Sequence, residues 1–444
     1  MSRTGLLAAA AILAVSVAAA PWPPGAGHEV WQRPPAKSTL ENGIPLIYHQ
    51  DRVSPMTVVG LFVPGGRAAV PEGLDGLATI ATRLTLEIPD QDKAQDLMAQ
   101  ATRMSYACEE DCSIVFIECL SENLEAALRV AGKIIQDPLI SGLRIGRSKE
   151  LMELLAKAQE DDAVVSASAA ALKSFFGGRA YGSSDYGSAA SRKAIGRKDV
   201  VGFYRRHFAA GGVFFAVVSD LDQPVVRDLL EKNFSRFPDG GPPEVPSPLP
   251  SIAENAGVHL TKETKQTYVG RAYALPAPTA EGHAKGCLLE VLIGKGPGSR
   301  LWGLRMDERL AYNVGSHVTW TRSAGILEAF LETENAKADR AAQSLDRVLE
   351  TLWKDGVSEA ELAATKAMTE AEFLRSIETK PERARRLGRF EVLGLGFGQV
   401  VGFADSIEAV DREAFNAYIK TVLDPGKALP VTVGPGATGL PKGD

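Results

Sequence analysis

The feature that most constrains this chain is that it is written twice. Residues 199–220, DVVGFYRRHFAAGGVFFAVVSD, read as a helix, a turn and a buried strand, and residues 414–434, AFNAYIKTVLDPGKALPVTVG, read the same way. Phe208 to Gly211 falls over Leu423 to Gly426 at an offset of 215 residues. A second match precedes each copy. Leu124, Ala127, Leu128, Ala131 and Ile135 keep a helical period that ends at Asp137-Pro138; Ala341, Leu345, Val348, Leu349 and Leu352 keep another that ends at Asp355-Gly356. The helix after that opens on a Ser358-to-Glu361 capping box. Strands precede both long helices, at Ser113–Leu120 and in a hairpin around Thr321–Gly325. Strands, helices, then one strand in each half predict an α+β fold: two homologous domains, each a mainly antiparallel sheet with helices packed on one face.

With 444 residues the chain exceeds one ordinary core, so two domains are expected. PDGGPPEVPSPLPS, ending at Ser251, breaks the apolar periodicity. We therefore assign residues 28–238 to an N-terminal domain, 239–251 to a Pro/Gly-rich linker and 252–444 to a C-terminal domain. Residues 1–20 read as a signal peptide: Arg3 leads an apolar run from Leu6 that small residues close. Export is the expectation, to the periplasm in a Gram-negative cell and otherwise outside. No stable membrane span is expected in the mature chain, since a charged stop is absent. A net charge of −6 without a long basic run argues against a nucleic-acid partner.

Four cysteines are present. Cys108 and Cys112 flank the acidic triplet of YACEEDCSIVFIE, and a hairpin there would set them face to face; an exported chain permits a disulfide. Two readings stay open, a disulfide or two small buried residues. No C-x-x-C spacing suggests a zinc site.

Three stretches then carry a resemblance. LENGIPLIYHQDRVSPMTVVGLFVPGGR runs from Leu40 to Arg67, GLATIATRL from Gly76 to Leu84, and GPGSRLWGLRMDERLAY from Gly296 to Tyr312. Together they resemble the pitrilysin and insulysin family of zinc peptidases, which includes the mitochondrial processing peptidase; its pattern in the third stretch is G-x-x-S-R-L-x-x-x-L-R-E-x-x-G-L-A-Y. The resemblance implies two similar α+β domains. It also places an H-x-x-E-H helix at GLATIATRL, where two imidazoles one turn apart bind zinc and the Glu serves as general base. Here the ligand and base positions fall on Thr79, Thr82 and Arg83. A guanidinium offers a metal no lone pair and repels it. The third ligand's place falls on Glu153, with Glu150 as the rival one turn earlier, and Arg83 is expected to pair with Glu153 in the vacated site.

What the resemblance keeps is Arg305 and Tyr312, donors that in the family reach the scissile carbonyl and its oxyanion. The chain therefore looks like the non-catalytic subunit of a heterodimer: it binds no zinc, its partner is a homologous H-x-x-E-H subunit holding the zinc, and the substrates are peptides bound extended along a sheet edge. A non-proteolytic scaffold or peptide-holding protein of the same fold is the alternative, and a solitary enzyme of unrelated chemistry ranks last. The glycine loop at 294–300 lacks the G-K-[ST] of a phosphate loop. LGLGFGQVVGF, residues 393–403, reads either as tight turns or as a peptide-sensing loop; Trp302, Trp320 and Trp353 read as core or interface anchors.

Overall fold

The computed structural model describes residues 33–253 and 256–436; the expected signal peptide lies outside them. The first half runs β1 (Ala36–Thr39), β2 (Pro45–Gln50), β3 (Met56–Pro64), α1 (Leu77–Leu84), α2 (Gln91–Ala99), β4 (Arg103–Cys108) and β5 (Cys112–Leu120). It continues through α3 (Leu124–Gln136), α4 (Gly142–Asp161), α5 (Ala163–Phe176), α6 (Ala189–Ala194), α7 (Arg197–His207), β6 (Phe214–Ser219) and α8 (Gln223–Asn233). The second half runs β7 (Val258–Thr261), β8 (Gln266–Leu275), α9 (Ala280–Gly294), α10 (Trp302–Met306), β9 (Asn313–Trp320) and β10 (Gly325–Glu334). After these come α11 (Ala338–Asp355), α12 (Glu359–Arg375), α13 (Lys380–Val392), α14 (Gln399–Glu408), α15 (Arg412–Val422) and β11 (Leu429–Gly434).

Two sheets result, ordered β1-β2-β6-β3-β5-β4 and β7-β11-β8-β10-β9. They superimpose as a list: β6-β3-β5-β4 matches β11-β8-β10-β9. The single parallel pairing in each, β2 with β6 and β7 with β11, falls at the same place. The fold is α+β and duplicated, and β6 and β11 start 215 residues apart, the offset read from the turns before them.

The central strands explain one departure from a sheet with helices on one face. β6 is buried at all six positions and β3 at seven of nine, so both faces must be covered. Each half lays its own helices on one face. On the first sheet Val59, Leu61, Val115 and Val217 pack with α1, α3 and α7. The other face takes a helix from the opposite half. α13 lies on Phe62, Ile114, Phe116 and Ala216 of the first sheet. Its counterpart α5 lies on Tyr268, Ala272 and Val431 of the second. The two equivalent helices are thus exchanged, and separating the halves would strip both cores.

Polar contacts fix the exchange. Lys380 at the start of α13 donates to the carbonyls of Asp51, Ser54 and Met56 at 2.8, 2.6 and 2.8 Å. Arg383 pairs with Asp51 at 2.7 Å. Gly388 permits the close approach: a Cβ there would sit 2.1 Å from the Phe62 ring. In return, Ser168 of α5 lies 3.2 Å from the Glu328 carboxylate and 3.1 Å from His317 Nε2. Residues 239–251 carry no helix or strand but are tied in, Ser251 N–H to the Phe175 carbonyl and Ser323 to the Pro248 carbonyl. Residues 393–398 form the turn between α13 and α14, with Gly394 and Gly396 at positive φ.

Cys108 and Cys112 do not meet. The β4–β5 register pairs Cys108 with Ser113, so the two cysteines point to opposite faces of the sheet, and both thiols are free. Cys112 enters the core beneath α13, while Cys108 packs toward α1. The hairpin loop spends four residues rather than three, which reverses the parity a face-to-face pair needs.

Candidate functional site

α1 is short, begins after Gly76 in a left-handed conformation, and buries every residue except Arg83. Thr79 donates its hydroxyl to the Asp185 carbonyl at 2.6 Å, and Thr82 donates to Ala78 within the helix at 2.8 Å. The Arg83 guanidinium forms an ion pair with Glu87 and donates to Ser148 Oγ at 2.7 Å; the second Glu87 oxygen is 3.1 Å from Arg144. An Arg-Glu-Arg chain therefore stands where the H-x-x-E-H ligands would, and this donor set does not suit zinc. Among the described residues, no cluster of three or more His, Cys, Asp or Glu side chains is placed to hold a metal ion.

The expected pair between Arg83 and Glu153 does not form. α4 turns Ile145, Ser148 and Met152 inward, and Glu153 and Glu150 lie exposed on other sides of the helix. Arg83 finds its carboxylate four residues on, at Glu87 just past the end of α1.

Beside α1 the hairpin tip Glu109-Glu110-Asp111 is driven between the halves. Glu109 takes Arg385 at 2.5 Å and also Arg389, both on α13. Glu110 pairs with Arg67, which faces Asp185 at 3.1 Å. Asp111 accepts from the Tyr181 hydroxyl at 2.7 Å and from the Arg322 N–H at 2.9 Å. Burial pushes Asp111 and Asp185 up to about 6, whereas at Glu110 burial is outweighed by Arg67 and Arg389, which hold it below the usual carboxylate range. The tip leaves room for about one water, a cavity of about 10 Å³. Gly66 is what lets it in: φ is +47°, and a Cβ would lie 2.2 Å from the Glu109 carbonyl. This cluster was not foreseen from sequence, although an acidic triplet between two apolar strands and four arginines in α13 were both in view.

Arg305 and Tyr312 sit elsewhere, on the outer rim of the second half. Arg305 is exposed on α10, its guanidinium 5.0 Å from the Trp302 ring centre. Tyr312 enters the edge strand β9, is 57% exposed, and donates to Glu334 at 3.0 Å; Met306 between them is 56% exposed. The motif around them is structural in part. Arg300 grips Glu361 bidentately at 2.6 and 2.7 Å. That carboxylate is thereby diverted from the expected reciprocal cap, although Ser358 still accepts from Glu361 N–H at 3.2 Å. Arg309 occupies the place of the glycine in the family pattern and keeps a glycine backbone, φ +51°.

The second half also brings His283 and Cys287 together, with Sγ 3.9 Å from each ring nitrogen. Burial lowers His283 to about 3 and raises the Cys287 thiol well above its ordinary range. Both groups are held neutral, which is the reverse of an activated thiolate–imidazolium pair.

Two duplicated α+β halves with exchanged helices give a peptidase-like fold, with Thr79, Thr82 and Arg83 on the helix where the resemblance expects H-x-x-E-H. Residues 194–369 match the family model described as Peptidase M16 inactive domain. An uncharacterized zinc protease of Mycobacterium leprae is 22% identical over 401 residues, covering 87% of this chain and 89% of that protein. Zinc protease PqqE of Helicobacter pylori is 24% identical over 240 residues, 51% of this chain and 49% of that one. Among solved structures, a peptidase M16 inactive domain from Pseudomonas fluorescens superimposes with a TM-score of 0.81 at 20% identity, covering 91% and 98% of the two chains. A chain of complex III2 from Candida albicans does so at 0.78 and 14% identity, covering 90% and 95%. The resemblance read from the sequence is thus matched by these comparisons, as a likeness to M16 peptidases over the whole fold and to their inactive domain over residues 194–369.

Proposed function

We propose that this chain is the non-catalytic subunit of an exported heterodimeric zinc peptidase. It holds no zinc of its own. Its partner is a homologue carrying H-x-x-E-H, and the substrates are peptides. The observation that carries this reading is the exposed group Arg305, Met306 and Tyr312 beside the edge strand β9. Two large apolar side chains and a guanidinium left in water contribute little to this chain's own core, and suit a surface completed by another molecule. In the complex, Arg305 and Tyr312 would donate to the peptide carbonyl and its developing oxyanion. The unpaired side of an edge strand would hold the peptide extended through main-chain hydrogen bonds. Among the described residues no helix is long and apolar enough to cross a membrane.

A scaffold without proteolytic role is the second reading, favoured by the acidic tip that fills the space between the halves. One experiment separates them: the chain is mixed with its zinc-bearing homologue and a quenched peptide. The subunit reading expects cleavage to need both chains and to fall at least tenfold with Arg305→Ala or Tyr312→Phe. Equal cleavage by the homologue alone would leave the scaffold.

A further inference from the structure

A second hollow lies in the second half, between α9, β9, α12, α13 and α14, with a volume of about 300 Å³. That is the lower end of the range for small-molecule sites, roughly 300–1,000 Å³. Its place in the duplication is informative. α9, β9 and α12 correspond in order to α1, β4 and α4, so the hollow is the counterpart of the cleft that Arg83, Glu87 and Ser148 fill in the first half.

The walls are apolar where Val291, Val318, Trp320, Phe373 and Phe403 face it. One charge in it forms no close ion pair among the described residues, Glu290 and Glu109 acting on it only from farther off. Arg386 is half-buried, donates to Ser376 Oγ at 2.9 Å, and lies 5.8 and 5.7 Å from the ring centres of Phe373 and Phe390. Among the described residues it has no carboxylate partner, although its neighbours on α13 do: Arg383 holds Asp51, and Arg385 and Arg389 hold Glu109. The acids of the hollow are already engaged, Glu290 by Lys295 at 3.1 Å and Glu372 by Arg375. A half-buried guanidinium without a close carboxylate keeps part of its fork open, and a bidentate carboxylate is the ligand that planar fork fits best. Glu290 and Glu372 on the same walls oppose any anion, and the double charge of a phosphate more than the single charge of a carboxylate.

We propose that this hollow binds a monocarboxylate with an apolar or aromatic body, the carboxylate on Arg386 and the body against Trp320, Phe373 and Phe403. Such a group is presented either by a free small acid or by the C-terminal residue of a peptide. The site is separate from Arg305 and Tyr312 and does not depend on a peptidase partner.

Calorimetric titration of the full chain tests it, with 3-phenylpropionate, its primary amide, and the peptide Ala-Ala-Ala-Phe with free or amidated C-terminus. The acid is expected to bind saturably and its amide at least tenfold more weakly. Binding of the free-ended but not the amidated peptide points to a peptide terminus, and binding of phenylpropionate alone to a small acid. Arg386→Met should abolish the preference for the acid, and Val291→Phe should block entry while leaving Arg386 in place. Both are to be checked for unchanged thermal unfolding, and the second keeps the test valid if the first unfolds. Equal binding of acid and amide, binding undiminished in both variants, or no saturable binding by the wild-type chain would overturn the assignment.

Discussion

Glu109, at the tip of a hairpin in the first half, forms an ion pair with Arg389 on the helix lent by the second. Both side chains are mostly shielded from water, and Arg385 shares the same carboxylate. Removing the acid leaves guanidinium groups without a partner, which costs more than the intact pair contributes. Glu109→Gln should therefore destabilise the chain by about 3 kcal/mol in urea denaturation. Adding Arg389→Met should recover part of that loss; a double variant no more stable than the single one would deny the pair its role.

The exchanged helix makes a second expectation steric rather than electrostatic. Gly388 faces the Phe62 ring so closely that a methyl group cannot fit without movement. Gly388→Ala should cost about 1–3 kcal/mol despite its gain in helix propensity, because overpacking outweighs that gain. Phe62→Leu in the same chain should restore part of the loss. A stabilised single variant would mean that α13 does not press on the first sheet.

Arg309 keeps a left-handed backbone that a non-glycine residue adopts at a cost of roughly 1–2 kcal/mol. It is exposed. Arg309→Gly should accordingly stabilise the chain by up to about 1 kcal/mol, read as a higher unfolding midpoint, net of the glycine's greater freedom when unfolded. An unchanged or lowered midpoint would show that the guanidinium itself contributes.

These sites show what the sequence could and could not say. The duplication was legible because turns and buried strands are local: Phe208 to Gly211 and Leu423 to Gly426 announce the same strand by the same break. The helix exchange was not, since the periodicity of α13 tells that one face is buried but not beneath which sheet. Glu153 was misplaced for a related reason. In ELMELLAKAQEDD polar residues surround the helix, so the inward stripe of Ile145, Ser148 and Met152 cannot be phased without its neighbour. That the helix expected to carry H-x-x-E-H holds Thr79, Thr82 and Arg83 instead, in contrast, needed only residue identity.

That inward stripe yields a test of the emptied site. Thr79→His with Arg83→His rebuilds two imidazoles on one face of α1, yet Glu153 stays exposed outside it. Added zinc should leave the unfolding temperature of that variant unchanged. A further Ser148→Glu places a carboxylate where Arg83 now finds Ser148, and zinc should then raise it. Zinc stabilisation without the Ser148 change would mean that Glu153 can reach the site after all.

Buried titrating groups set the response to pH. Burial lowers His49 and His207 to about 4 and His283 to about 3. Each is neutral when folded and protonates near 6.5 when unfolded, so its contribution is present above 6.5 and is lost as the pH falls toward the folded value. Asp111 and Asp185, raised to about 6 by burial, act in the opposite sense, and burial raises Asp75 and Glu290 as well. A folded carboxyl that holds its proton more tightly than the unfolded one gains stability as the pH falls from about 6 toward 4. The melting temperature should thus drop slightly between pH 7 and 6, where the three neutral imidazoles outweigh the half-titrated aspartates and His317, which desolvation would lower but its bond to Glu328 raises, and fall less steeply below 6. Asp111→Asn removes one opposing group and should widen the gap to the wild-type chain at pH 5 relative to pH 7.5. A gap that stays constant across that range would show that Asp111 is ionised in the fold at both values, and that the hairpin tip is wetter than its geometry indicates.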